Sequence, residues 1–245
     1  LPSNNIVAHF LYPETVRTRI LLSSVGLRKS SSVPAEGNLN LGIWEESQGT
    51  TVNTASMSEL GTQSRDDAWR LMTEWTQSES LRKHMMTVEI AMRGAARRLG
   101  EDEDLWGLTG LLHDFDYERY PMVPEHPVKG SEILRAAGYP EIMVRAILAH
   151  AVETGIPRDT LLAQYLFAVD ELSGFITAVA YVRPSKLLAD VEVTSIKKKL
   201  KDKAFARAVS RDDIINGAAE LGLDLDTHIG NVLADLQANA TQLGM

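Results

Sequence analysis

The sequence has 245 residues, 44% of them apolar and 24% charged, with a net charge of −8 and an isoelectric point near 5.3. That balance suits a globular chain long enough to bury its own core, and its acidity argues against a nucleic-acid polymer as partner, since phosphate backbones reward clustered Lys and Arg. Cysteine is absent, which excludes disulfides, thiolate metal sites and a cysteine nucleophile, so a metal would have to be held by His and carboxylate.

Residues 1–56 are rich in Ser, Asn, Thr and Gly, with Ser30-Ser31-Ser32 and Gly49-Thr50-Thr51 reading as loop. Arg19-Ile20-Leu21-Leu22 is too short for a signal-peptide core. No run approaches the ~18 apolar residues of a membrane span. The expectation is a cytoplasmic protein with no membrane partner. The first Met is Met57, and residues 1–56 read as a weakly structured N-terminal extension, dispensable for chemistry, ahead of one compact domain over 57–245.

From residue 65 the pattern is helical. Ala68, Leu71, Met72 and Trp75 share a face over Asp66 to Thr76. Ser78 or Ser80 caps a second helix to about Arg98, with Leu81, Val88, Met92 and Ala95 on one face and Gly100 after it. Leu105 to Leu112 forms a short apolar helix. A loop with Pro121, Pro124 and Pro127 follows. Gly130 to Ala137 is helical and stops at Gly138. Pro140 opens a helix to about Thr154, closed by Gly155 and Pro157. A long apolar helix spans Asp159 to Ala180, and three more lie at 192–208, 211–221 and 226–240. No segment alternates as a strand does. The fold class is all-α. Lys197, Lys198, Lys199, Lys201 and Lys203 read as the solvated face of an amphipathic helix.

Of the six histidines, His84 lies within a turn of Leu81 and Val88, near the core side of its helix, and His150 follows Met143, Ala146 and Ile147 on an apolar face. Taken singly, each reads as a core histidine hydrogen-bonded to backbone. His113-Asp114 ends an apolar run and can turn two ligands to one point. Asp170 sits inside Tyr165-Leu166-Phe167-Ala168-Val169-Asp170-Glu171-Leu172. A carboxylate buried there needs a cation or a set of donors, although a salt bridge or a helix rotation that exposes it would also account for it. His9 and His228 read as surface residues.

The order His84, His113-Asp114, Asp170 resembles the HD-domain superfamily of metal-dependent phosphohydrolases, over roughly residues 80–185. His126-Pro127 with Gly130, followed by Ile147-Leu148-Ala149-His150, is similar to the extra histidines of dinuclear HD subgroups. Asp170-Glu171-Leu172-Ser173-Gly174 resembles the closing segment of such domains. The resemblance implies a helical bundle in which His84, His113, Asp114 and Asp170 hold one metal. It implies a second metal on His126 and His150, bridged by Asp114, the residue on which catalysis would most depend. Ligands without sulfur suit Mn, Fe, Co, Ni or Zn, with Mg also open. Two such cations can clamp a phosphate and lower the pKa of a shared water, which as hydroxide attacks phosphorus.

One departure stands out: many HD hydrolases carry a Lys soon after the HD pair, whereas this chain reads His113-Asp114-Phe115-Asp116-Tyr117-Glu118-Arg119. Phosphate contact then falls to Arg119, Lys129, Arg183 or Lys186, each of which, taken singly, reads more readily as a surface charge than as a ligand. The implied function is hydrolysis of a small phosphomonoester or phosphodiester, with nucleotides and cyclic nucleotides among the candidates. A di-iron HD-type oxygenase and a non-catalytic regulatory module are the alternatives, and homo-oligomerisation stays open.

Overall fold

Ser64 begins the helical part with a capping box: its hydroxyl accepts from the Asp67 N–H, and the Asp67 carboxylate accepts from the Ser64 N–H. The computed structural model describes residues 63–245, so the expectations for residues 1–56 and for His9 lie outside the described residues. Helix α1 is Arg65–Trp75, α2 is Glu79–Leu99 and α3 is Glu103–Leu112; α4 is Glu125–Ala136, α5 is Glu141–His150 and α6 is Leu161–Tyr181. Beyond these come α7 (Val193–Leu200), α8 (Arg211–Glu220), α9 (Leu225–Ala238) and the short α10 (Ala240–Leu243). No strand occurs among the described residues, in keeping with the all-α reading.

The ends of these helices follow their local chemistry. Ser78, not Ser80, caps α2, accepting from Leu81, and Gly100 closes it at φ 73°. Asp102 caps α3 through the N–H groups of Asp104 and Leu105. α5 stops at His150, short of the expected Thr154. Ala151 turns extended, and the Thr154 hydroxyl donates to the carbonyls of Leu148 and Ala151, so that Val152–Thr154 forms its own 3₁₀ turn. The helix expected over 192–208 ends at Leu200. The Arg211 guanidinium donates to the carbonyls of Phe205, Ala206 and Val209, satisfying backbone acceptors that a longer helix would have paired internally. A further 3₁₀ turn, Leu188–Asp190, was not expected.

The apolar stretch of α6 becomes the centre of the bundle. It packs against α2, α5, α8 and α9, with Leu166, Leu172, Phe175 and Ile176 fully buried. By length and composition alone this helix could cross a membrane, yet 78% of its apolar window is covered by the rest of the fold. α2 and α3 cross closely at Gly110, where a Cβ would stand 2.9 Å from the backbone of Glu89 and Val88. The Glu89 carboxylate at this crossing is 1% exposed and accepts from both Arg65 and Arg93, which locks α1 onto α2.

Candidate metal centre

Five segments deliver one cluster. His84 comes from the second turn of α2, His113 from the residue closing α3 and Asp114 from the turn after it. His126 comes from the irregular start of α4, His150 from the last residue of α5 and Asp170 from the middle of α6. At α4 the backbone of His126 and Pro127 is non-helical, and both residues are buried there. His113, Asp114 and His126 are buried, and His84, His150 and Asp170 half-buried.

Three of the imidazoles are held by the same device. Nδ1 of His113 bonds the Gly110 carbonyl at 2.8 Å, Nδ1 of His150 the Ile147 carbonyl at 2.5 Å, and Nδ1 of His126 the Asp116 carboxylate at 2.7 Å. A proton on each Nδ1 leaves the Nε2 lone pair for the centre. The Nε2 of His84 lies 3.0 Å from Asp170 Oδ1 and 3.8 Å from Asp114 Oδ2, and that of His113 lies 3.4 Å from each. On the other side, Asp114 Oδ1 lies 3.2 Å from His126 Nε2 and 3.5 Å from His150 Nε2. Asp114 therefore turns one oxygen to each pair of histidines. The ligand atoms of His84, His113 and Asp114 lie within 4.8 Å of one another, as do those of Asp114, His126 and His150.

These distances fit divalent cations. With metal–ligand bonds of about 2.1 Å, ligands at right angles stand roughly 3.0 Å apart. The Nε2 of His113 is fully buried and has no hydrogen-bond partner, whereas buried polar atoms are nearly always satisfied. The electrostatics ask for the same positive charge. Burial disfavours the charged form of His113, but the carboxylates of Asp114 and Asp170 outweigh it and hold the ring well above the ordinary histidine range. His126 is likewise disfavoured by burial, yet Asp114 and Asp116 raise it to about 9. Asp114 and Asp170 are held low by the facing histidines in spite of their burial.

Residues 81–174 match the family model described as HD domain. The chain carries an HD domain. No curated protein and no solved structure matches the chain. The HD match runs from the first turn of α2 to the middle of α6, and so contains all six residues of the cluster.

Around the HD centre, Asp116 is a residue that sequence reasoning missed. It is 1% exposed, and its second oxygen accepts from the Gly130 N–H at 2.7 Å. A Cβ on Gly130 would stand 2.6 Å from that carboxylate, which gives the glycine of the His126-Pro127…Gly130 segment a physical reason. The signal that could have found Asp116 is that a ligating imidazole needs an acceptor at its other nitrogen.

Three of the four basic residues expected near phosphate make other contacts, and the fourth lies away from the cluster. Arg119 stacks 3.8 Å over the Trp75 ring and donates to the Glu74 carbonyl, Lys129 pairs with Glu132 at 3.1 Å, and Arg183 donates to Ser195 Oγ at 2.6 Å. Lys186 is exposed at φ 57°, beyond the end of α6; at ~1.5 Å per residue that end lies roughly 16 Å along the helix from Asp170. Lys83, passed over in the sequence, instead lines a cavity together with His84. His228, expected at the surface, is 1% exposed, because its Nε2 bonds the Ala168 carbonyl at 2.9 Å and pins α9 to α6.

Proposed function

We propose that this HD domain is a metal-dependent phosphohydrolase that binds two divalent cations and cleaves a small phosphomonoester or phosphodiester. The observation that carries the reading is Asp114, one carboxylate with an oxygen turned to each of two histidine pairs. His84, His113 and Asp170 would complete one site, and His126 and His150 the other. Bound there, the cations supply Lewis acidity to phosphate oxygens and lower the pKa of water. They also supply the positive charge that a chain of net charge −8 needs to hold an anion.

The chain's own residues supply placement. Backbone carbonyls and Asp116 fix three imidazoles at Nδ1, so the donor atoms need little rearrangement as charge develops. Asp114 fixes the spacing of the two sites. In the reaction one water is consumed. Its oxygen ends on phosphorus, the bond from phosphorus to the leaving oxygen breaks, and a proton ends on that oxygen. The substrate side is a small phosphorylated molecule, not a nucleic-acid polymer.

The test is turnover of a panel of phosphomonoesters and phosphodiesters by the full chain loaded separately with Mn, Fe, Co, Ni, Zn and Mg. Metal-dependent release of phosphate or alcohol that stops with chelator, and that Asp114→Ala abolishes while the helical circular dichroism persists, is the expected result. Hydrolysis indifferent to chelator would contradict it. Turnover demanding iron and dioxygen would point to oxygenase chemistry instead.

A further inference from the structure

The sequence lacks a Lys in the few residues after the HD pair, and Arg119, Lys129 and Arg183 are engaged elsewhere, while Lys186 lies beyond the end of α6. Beside His84, however, the first turns of α2 and the second half of α6 enclose a cavity of about 20 Å³ lined by Ser80, Lys83, His84, Thr177, Ala178 and Tyr181. That volume accommodates about one oxygen-sized group. The Lys83 ammonium is half-buried here and donates to the Tyr181 hydroxyl at 3.0 Å. Its nitrogen also lies 5.6 Å from the centroid of the Tyr181 ring. The tyrosine thus holds a flexible cation against the wall that His84 shares. Thr177 is oriented in turn by its bond to the Ser173 carbonyl, 2.9 Å away.

We propose that this cavity is the phosphate subsite of the centre. Lys83 takes one non-bridging phosphate oxygen that the metal sites leave uncovered, and Tyr181 positions the ammonium. The Lys83 ammonium at its wall and the small volume suit a phosphate or phosphonate oxygen. An ammonium is a compact point charge that suits such an oxygen, and the small volume excludes a nucleobase or a sugar. Lys83 directly precedes the His84 of the cluster, so one turn of α2 would present both a metal ligand and a substrate cation. The proposal rests on the phosphohydrolase reading for its substrate class, but not for its ligand chemistry.

The experiment measures binding of inorganic phosphate by calorimetry to the metal-loaded full chain, as wild type, Lys83→Met, Lys83→Gln and Tyr181→Phe, with metal content and thermal midpoint recorded for each. Loss of a charge-assisted bond should weaken phosphate about tenfold to a hundredfold in both Lys83 variants. Metal content should stay unchanged, and Tyr181→Phe should show a smaller loss. With any phosphoester that is turned over, KM should rise in the Lys83 variants more than kcat falls. Wild-type affinity for phosphate in both folded, metal-loaded Lys83 variants would overturn the subsite, as would no binding by wild type. The two readings separate cleanly. Hydrolysis that persists with phosphate binding unchanged in the Lys83 variants sinks the subsite alone. Lys83-dependent phosphate binding without turnover of any ester upholds the subsite and sinks the hydrolase reading.

Discussion

At the scale of single residues, the centre depends on what stands behind it. Asp116 touches neither metal site directly; it holds His126 through Nδ1 and is itself held by Gly130. Asp116→Asn should lower affinity at the His126–His150 site by about 10–100-fold and leave the His84–His113–Asp170 site filled. Stepwise metal titration checks this, and equal loss from both sites would count against it. His228 works away from the centre. Burial lowers its pKa below the ordinary value, and the Ala168 carbonyl only partly opposes this. A depressed histidine costs nothing above the unfolded value of about 6.5, and its contribution is lost as pH falls through that value toward the folded one. His228→Gln keeps a donor for Ala168 but takes up no proton. The thermal midpoint of the wild type should therefore fall more steeply between pH 7 and pH 5 than that of the variant, and parallel profiles would refute the assignment. His84, His113-Asp114, His150 and Asp170 were legible in the sequence from their apolar surroundings, but His126 and the grouping of all six came only from the resemblance to HD domains. Asp116 and Lys83 were not legible, because their roles exist only once α4 meets the turn after α3 and α2 meets α6. His228 was misread for the same reason: its acceptor is 60 residues away.

At the scale of elements, the α2–α3 crossing sets the distance between His84 and His113. Gly110→Ala would drive a Cβ to 2.9 Å from the backbone of Glu89 and Val88. Backbone cannot yield as a side chain does, so the helices must spread, at a cost of roughly 1–3 kcal/mol. The variant should lose metal at His84 and His113 before His126 and His150. Gly230→Ala is the matched control, since its Cβ would meet only Val193, at 3.9 Å, and helix propensity favours Ala by up to about 1 kcal/mol. Equal stability of the two variants would show that the crossing does not constrain the site. The helices with clear caps, α2 above all, were readable from periodicity and Ser or Gly at their ends. The ends of α5 and α7 were not. Thr154 takes the carbonyls of Leu148 and Ala151, and Arg211 those of Phe205, Ala206 and Val209 in the segment beyond α7, and a side chain that competes with the helix ladder leaves no mark in hydrophobic spacing.

At the scale of the whole molecule, one helix contributes to the cluster, to the His228 contact and to the cavity. α6 gives Asp170 to the cluster, the Ala168 carbonyl to His228, and Thr177 and Tyr181 to the cavity beside Lys83. Its apolar run was visible in the sequence, but which of its faces met which neighbour was fixed only by the packing of α2, α5, α8 and α9. The part of the fold that follows the HD match, from residue 175 onward, includes the end of α6 and the helices that cover it. A dinuclear site requires this helix and its neighbours to bring both histidine pairs to Asp114. The direct measurement is metal content per chain of the full protein after reconstitution, for wild type and Asp114→Ala side by side. Two divalent ions per chain in the wild type, with loss from both sites in the folded variant, is the predicted result. A single ion per wild-type chain, or two retained without Asp114, would contradict it.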